Sequence, residues 1–237
     1  MKYNSQIFTK KSATYFDEDL RQYMLSIYQN MTIALGISAL VAYIIGSSES
    51  LAFALYGTPI AYLIMLSPVI YVFFFTRNIL NMTTQQARFH LATFAALNGM
   101  SLGVIFLIFT KLSIVKTFLL TSATFGGMSL YGYTTKKDLT SIASFVYMGL
   151  IGLIIVSLVN LFLRSSSLDF AISLIGIAIF TVLTAFDTQK LKTLYYTMHG
   201  NNLRASNIAV YGALTLYLDF INLFTFLLHF LGHKKED

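Results

Sequence analysis

Apolar residues occur along this chain in seven continuous runs, with no alternation of apolar and polar positions. The runs cover residues 26–46, 51–75, 89–109, 112–133, 142–163, 168–188 and 206–231. Each is close to the roughly 20 residues that a helix needs to cross the hydrocarbon core of a bilayer. Continuous runs favour helices over a β-barrel, whose strands alternate apolar and polar residues. The pattern therefore predicts an all-α, polytopic membrane protein built as a bundle of seven transmembrane helices.

The basic residues between these runs predict the orientation of the bundle. Eleven lie on one side, namely Lys2, Lys10, Lys11, Arg21, Arg77, Arg88, Lys136, Lys137, Lys190, Lys192 and Arg204, and five lie on the other. Because Lys and Arg are enriched in cytosolic connections, the first side is predicted to face the cytoplasm, with the N-terminus inside and the C-terminus outside. A six-span arrangement with a re-entrant last segment, which would place both termini inside, is the alternative.

The same pattern divides the chain into one membrane domain and two short polar ends. Residues 1–25 are too polar for a cleavable signal peptide and are predicted to form a cytosolic tail. Residues 26–231 form the seven-span domain, and residues 232–237 a short polar C-terminal tail. Pro59 and Pro68 fall in the second run and predict a kinked or broken helix there.

The amino-acid composition also indicates that most of the protein surface contacts lipid and not water. The chain is 56% hydrophobic and only 11% charged, under half of the usual charged share of a soluble domain. Small residues recur in the runs and would let helix backbones approach each other, as with Gly99 and Gly103, Gly126 and Gly127, and Gly149 and Gly152. Cysteine is absent, which excludes disulfides and thiolate sites. The net charge of +6 is spread over the ends of the runs, so we expect no nucleic-acid partner.

Two aspartates in the last two runs are the main candidates for function. An ionisable group within a span costs about 2.5–3.5 kcal/mol on insertion scales and is a functional candidate by default. Asp219 lies near the middle of the last run, where the simpler interpretation is a protonated side chain bonded to a neighbouring helix. Asp187 lies near the cytosolic end of its run, where pairing with Lys190 is the simpler interpretation.

The sequence permits contact between the two aspartates without requiring it. With a run that starts at residue 168, Asp187 lies roughly 13 Å from the centre of its span toward the cytosol, at 1.5 Å per residue. Contact then needs tilt, a shifted span or a broken helix. If they meet, the pair would titrate as a unit, and protons would compete with an oxygen-preferring cation such as Ca²⁺ for both carboxylates.

Four further polar residues are candidates for a latch or a polar path. Arg77 ends the second run near the expected depth of Asp187, where it could latch the cytosolic mouth or serve only as a topology residue. Asn98, Asn160 and Asn222 could line a path through the bundle. Asn222 is the strongest of the three, because it lies three residues after the aspartate of the last run and shares its helix face.

Enzyme signatures are missing from the sequence. It contains no HExxH, Walker-type loop, GxSxG or Cys/His cluster. An intramembrane aspartyl protease stays a minor alternative, because the two aspartates do not sit in a Gly-rich catalytic motif. We therefore expect no enzyme activity and no cofactor.

Three motifs resemble the Bax inhibitor-1 family, the transmembrane Bax-inhibitor-motif proteins, in its bacterial branch. They are AFDTQKLK at 185–192, ALTLYLDFINLF at 213–224 and FGGMSLYGYTTKKDLT at 125–140. The resemblance implies a seven-helix bundle whose last helix is central and wrapped by the others. It also implies a bacterial plasma membrane protein that leaks Ca²⁺ in a pH-sensitive way, with Asp187 and Asp219 sharing a proton or transiently binding Ca²⁺ and Arg77 as the latch.

Two other functions stay open beside this one. A non-conducting protein that binds and modulates another membrane protein, such as a membrane protease, would need neither flux nor a polar path. A secondary transporter is less favoured, because no internal repeat is visible.

Overall fold

A computed structural model describes residues 2–197 and 202–235, without the side chains of 2–17, 80 and 202–205. The described residues form helices and their connections, with one isolated bridge between Phe109 and Lys234. In chain order the helices are α1 (Lys2–Gly46), α2 (Glu49–Tyr56), α3 (Ile60–Asn78), α4 (Thr84–Leu102), α5 (Ile105–Ile108), α6 (Lys111–Thr134), α7 (Thr140–Leu163), α8 (Ser166–Thr197) and α9 (Asn202–Leu231). The all-α prediction is confirmed.

Six helical segments of the described chain are long and apolar enough to cross a membrane. They are Glu18–Gly46, Ile60–Asn78, Thr84–Ile108, Thr140–Leu163, Ser166–Thr197 and Ser206–Leu231. The prediction of a polytopic membrane protein is therefore confirmed. The remaining predicted span corresponds to α6, which has 24 residues but is less apolar because it contains Lys111, Lys116 and several hydroxyl residues. The count of seven stays a prediction.

Two helices extend well beyond the apolar runs that predicted them. Helix α8 continues to Thr197, nine residues past the predicted end, because its polar continuation contains neither Gly nor Pro. Helix α1 runs through the predicted tail boundary, and Leu20, Tyr23 and Met24 are already buried in the core. Hydropathy marks the lipid-facing part of a helix, whereas the helix itself ends only where its backbone pattern is broken.

The second span is broken, as the prolines predicted. Helix α2 ends at Tyr56 and α3 begins at Ile60, with Gly57, Thr58 and Pro59 between them. Pro68 lies inside α3, where it removes one backbone N–H from the helix ladder.

Helix α9 packs against α1, α4, α6 and α8, and α8 packs in turn against α6 and α7. Half of the apolar stretch of α9 is buried, compared with 17% in α3 and in α7. The Tyr217 hydroxyl in α9 donates to Ser38 Oγ (2.6 Å), which donates to the Ala95 carbonyl (2.7 Å), so one hydrogen-bonded chain joins α9, α1 and α4. The central position of the last helix stays a prediction.

Asn207 attaches the beginning of α9 to the connection between α3 and α4. Its Nδ2 donates to the carbonyls of Met82 (2.6 Å) and Ile79 (3.3 Å), and its Oδ1 accepts from the Thr84 hydroxyl (2.9 Å). At the opposite end of the bundle, His233 and Lys235 of the predicted C-terminal tail make backbone hydrogen bonds to the connection that precedes α6. Both connections are therefore fixed by α9 and the residues that follow it.

Only some of the predicted glycines lie where the backbones of two helices approach closely. A Cβ on Gly99 would lie 2.6 Å from the Ser38 carbonyl oxygen, so α1 and α4 need glycine there. The prediction is wrong for Gly126, Gly127 and Gly152, where nothing lies within 4 Å of an added Cβ. Spacing along one helix cannot tell which face meets a neighbour.

The tightest such contact joins α6 to α8 at Gly132. A Cβ at this position would lie 2.1 Å from the carbonyl oxygen of Ala185 and 2.8 Å from its carbonyl carbon. Because both atoms belong to the backbone, no side chain can rotate away to make room. Gly132 therefore sets the distance between α6 and the part of α8 that carries Asp187.

We expect Gly132→Ala to lower the free energy of unfolding by about 1–3 kcal/mol, the usual cost of overpacking. Gly127→Ala on the same helix is the matched control, because its added methyl meets open space and should be neutral or stabilising by up to about 1 kcal/mol through helix propensity. Denaturant unfolding in detergent micelles measures both. Equal midpoints for the two variants would contradict the close approach of α6 and α8.

Candidate functional site

The segment 185–192 of α8 holds α6 through two polar contacts. Thr188 Oγ1 donates to the carbonyl one turn back, so Ser129 Oγ donates to Thr188 (2.9 Å) and the Tyr28 hydroxyl donates to Ser129 (2.5 Å). About one turn further along α8, Lys192 Nζ donates to the Tyr133 carbonyl at the end of α6 (2.8 Å). These contacts fix α8 against α6 and α1.

The same segment also holds the connection between α6 and α7. Gln189 Nε2 donates to the Lys137 carbonyl (2.8 Å), and its Oε1 accepts the backbone N–H of Leu139 (3.0 Å). Sequence reasoning missed this role. The signal for it was an uncharged amide in a motif that otherwise contributes a carboxylate and two ammonium groups.

Asp187 and Asp219 meet in the interior of the bundle. Each is only 4% exposed, and their carboxyl groups are in side-chain contact. The Tyr147 hydroxyl of α7 lies beside Asp187 and is the third polar group of the site. No sequence signal pointed to Tyr147, because it stands within an uninterrupted apolar run.

The contact forms where α9 packs along α8 in the opposite direction, as the approach of Gly176 to Phe226 and of Gly212 to Leu191 shows. Helix α8 extends from Ser166 to Thr197, past the predicted end of its apolar run. Neither helix breaks at the site. The depth of Asp187 in the membrane stays a prediction.

Each carboxyl group of the pair keeps one oxygen without a hydrogen-bond partner. Asp187 Oδ1 and Asp219 Oδ2 are both buried and unpaired among the described residues. A buried charged oxygen without a partner is costly. Chemically, such a pair can hold either a proton between its carboxyl groups or a cation against them.

The pair lies at the floor of a cleft of about 640 Å³. Helices α8 and α9 form the floor, α7 forms one wall, and Thr76 of α3 contributes from the other side. Apart from the two aspartates, Tyr147 and a few other polar residues, the lining is apolar. The charged oxygen ligands in this cleft are those of the pair, beside the neutral side-chain oxygens of Thr76, Tyr147, Ser157, Tyr211, Thr215 and Asn222.

The three asparagines have different surroundings. Asn222 lines the cleft with the pair, and its Nδ2 donates to the Leu218 carbonyl one turn back. Asn160 instead stabilises the connection from α7 to α8, through hydrogen bonds with the backbone of Ser165 and the carboxylate of Asp169. Asn98 lies half-buried in α4, away from the residues that line the cleft.

Neither candidate cation forms an ion pair with Asp187. Arg77 is exposed, and the salt bridge found among described side chains joins Arg21 to Glu18. Lys190 acts electrostatically on Asp187 but lies beyond salt-bridge distance, with its Nζ 5.9 Å from the centre of the Phe186 ring. The simpler interpretation of Asp187 as an interfacial ion pair is therefore wrong, and the latch role of Arg77 stays a prediction.

The described residues contain no group of three or more His, Cys, Asp or Glu side chains that could hold a metal ion. The candidate metal ligands are thus the two carboxyl groups of Asp187 and Asp219. Two carboxylates without further ligands suit a cation that binds and leaves, since Ca²⁺ in a stable site takes 6–8 oxygen ligands.

Comparison with known proteins covers almost the whole chain. Residues 20–236 match the family model described as Inhibitor of apoptosis-promoting Bax1. A protein of Rickettsia prowazekii is 47% identical over 228 residues, which cover 96% of each chain. The inner membrane protein YbhL of Escherichia coli K12 is 38% identical over 220 residues, which cover 91% of this chain and 93% of YbhL.

These matches agree with the six helical segments that can cross a bilayer. The protein is accordingly a multi-pass protein of the bacterial inner membrane. The match of the family model and the similarity of both relatives over their full lengths lead to one conclusion: the chain belongs to the Bax inhibitor-1 family.

Proposed function

We propose that this protein is a pH-sensitive Ca²⁺ leak channel of the plasma membrane, gated by protonation of the Asp187–Asp219 pair. One observation carries the proposal. Two buried carboxyl groups touch at the floor of an open cleft, and each keeps an oxygen without a partner. In this proposal the protein has no enzyme activity and no resident cofactor, and Ca²⁺ is the permeant ion.

Ca²⁺ fits the chemistry of the pair. It is a hard cation that prefers carboxylate oxygens, and two adjacent carboxylates match its charge. The other oxygen-bearing side chains of the cleft are neutral, so the pair supplies its negative charge. Conduction requires that an ion bind well enough to enter and weakly enough to leave, which a site of two side chains allows.

Protons compete with Ca²⁺ for the same oxygens. Two carboxyl groups in contact within an apolar interior cannot both ionise easily, so the pair exchanges protons as one unit. A change in its charge also changes the forces between α8 and α9, which carry one carboxyl group each. Bulk pH therefore acts on both ion occupancy and helix packing.

The proposed architecture has seven spans, with α9 at the centre and the N-terminus in the cytoplasm. Its support is the packing of α9 against α1, α4, α6 and α8, together with the excess of basic residues on the predicted cytosolic side. Helix α6 is the deciding element, because it has the length of a span and a more polar composition.

Substituted-cysteine labelling can test this topology, since the chain has no native cysteine. We expect a membrane-impermeant maleimide to label Lys111→Cys only from outside and Lys136→Cys only from inside, because α6 separates the two positions. The cysteine-free chain is the control for background labelling. If both variants are labelled from the same side, α6 does not cross the membrane and the prediction of seven spans is wrong.

We expect Asp219→Asn and Asp187→Asn each to abolish the pH dependence of Ca²⁺ flux. Each removes one of two ligands, and the flux should fall by about tenfold, equivalent to roughly 1.4 kcal/mol. Flux into liposomes loaded with a Ca²⁺ dye, measured across a pH series, gives both quantities.

Asp169→Asn is the matched control for these two variants. It changes the same chemical group on α8, about 27 Å from Asp187 along that helix at 1.5 Å per residue, and its amide can still bond to Asn160. A wild-type pH profile in Asp219→Asn would refute gating by the pair. No flux at any pH, with a membrane protein co-purifying in equal amount, would instead favour the non-conducting, modulating role.

The latch role of Arg77 gives a separate expectation. If its guanidinium swings to the pair in the closed state, Arg77→Gln should raise flux several-fold at the pH where the wild type conducts least, because a charge-assisted hydrogen bond is lost. Arg88→Gln, another exposed arginine on the same predicted side, is the control. The same liposome assay measures both, and identical flux in the two variants would leave Arg77 as a topology residue.

A further inference from the structure

A second groove lies beside the helix segment that carries Asp187, on the face next to the aspartate. It has a volume of about 620 Å³ and is formed by the connection between α6 and α7 together with the last turns of α8. Phe186, Gln189 and Lys190 line this groove, whereas Asp187 points into the cleft with Asp219. The groove is on the side of the bundle where the sequence predicts cytosol.

The groove is strongly basic. Lys136, Lys137, Lys190 and Lys192 all line it, and Asp138 is the carboxylate among its lining residues. None of the four ammonium groups forms a salt bridge with a carboxylate of the side chains that the structure describes. The groove therefore holds positive charge that the described part of the protein does not neutralise.

The carboxylate of Asp138 is hydrogen-bonded to Thr140. It accepts hydrogen bonds from the backbone N–H (2.9 Å) and the hydroxyl (2.6 Å) of Thr140. Both bonds are accepted by Oδ1, and they hold the pKa of Asp138 below its ordinary value. The groove still has more lysines than carboxylates, four against one.

Three contacts give the groove a fixed shape. Lys192 Nζ is held by the Tyr133 carbonyl and lies 5.0 Å from the centre of the Tyr133 ring. Lys190 Nζ lies 5.9 Å from the centre of the Phe186 ring. Gln189 ties the backbone around Lys137 to α8. Lysines that are positioned before a ligand arrives lose less entropy when they bind it.

We propose that this groove binds a phosphate group, supplied by the headgroup of an anionic phospholipid. Ammonium groups bind phosphate as point charges, and basic clusters at the cytosolic ends of membrane helices attract anionic lipids. The apolar side chains of Phe186 and Leu194 at the groove would contact the upper part of a lipid chain. A soluble phosphate compound has the same chemistry and is the other source to be distinguished.

Two lysine pairs in the chain make a matched test. Lys136→Gln with Lys137→Gln removes two charges from the groove. Lys234→Gln with Lys235→Gln removes two equally exposed charges beyond α9, away from the groove. Lys192 is left unchanged, because it also holds the end of α6. The full chain is reconstituted in nanodiscs of phosphatidylcholine with a minor fraction of phosphatidylglycerol, and the lipids that stay bound after detergent extraction are quantified by mass spectrometry.

We expect phosphatidylglycerol to be enriched on the wild type and on the Lys234/Lys235 variant. Enrichment should fall by about fivefold for each lysine removed from the groove. A parallel measurement titrates inorganic phosphate and pyrophosphate into protein in pure phosphatidylcholine nanodiscs. Lipid enrichment that depends on Lys136 and Lys137 supports a lipid headgroup, and lysine-dependent binding of the soluble anions alone assigns the site to soluble phosphate. If neither depends on these lysines, the proposal is wrong.

Discussion

The contact between the carboxyl groups of Asp187 and Asp219 is the constraint that the surrounding structure has to meet. Two acidic groups in an apolar interior repel each other when ionised and lose hydration in either state. They stay in contact only if α8 and α9 keep one register. In the proposed function, a mobile particle, a proton or a cation, binds at the unpaired oxygen of each carboxyl group.

The register of both helices is set by polar contacts around the pair. On α8, Thr188 and Gln189 bond to different neighbours from consecutive positions, because successive side chains of a helix point about 100° apart. On α9, the Tyr217 hydroxyl is hydrogen-bonded to Ser38 of α1, which is hydrogen-bonded to the Ala95 carbonyl of α4. Asn207 of α9 is hydrogen-bonded to the connection between α3 and α4. In an apolar environment such bonds favour one arrangement of the helices, because an arrangement that lacks one of them leaves a buried polar group unpaired.

One short segment of α8 therefore serves two surfaces. Asp187 lies in the cleft with Asp219, and Lys190, one turn further along the helix, lies in the neighbouring basic groove. Gly132 allows α6 to approach this segment at backbone distance, which leaves no room for it to shift. Lys190 of the groove lies one helical turn from Asp187 of the pair, so the cleft and the groove share helix α8.

The sequence alone determined the helical class, the membrane environment, the broken second span and the two aspartates as the unusual residues, since each depends on composition or on local backbone rules. It did not determine that Asp187 meets Asp219, because that contact depends on how α8 packs against α9. The sequence also did not predict the roles of Tyr147 and Gln189 or the close approach at Gly132. Their roles depend on which helix faces which, and only packing in three dimensions decides that.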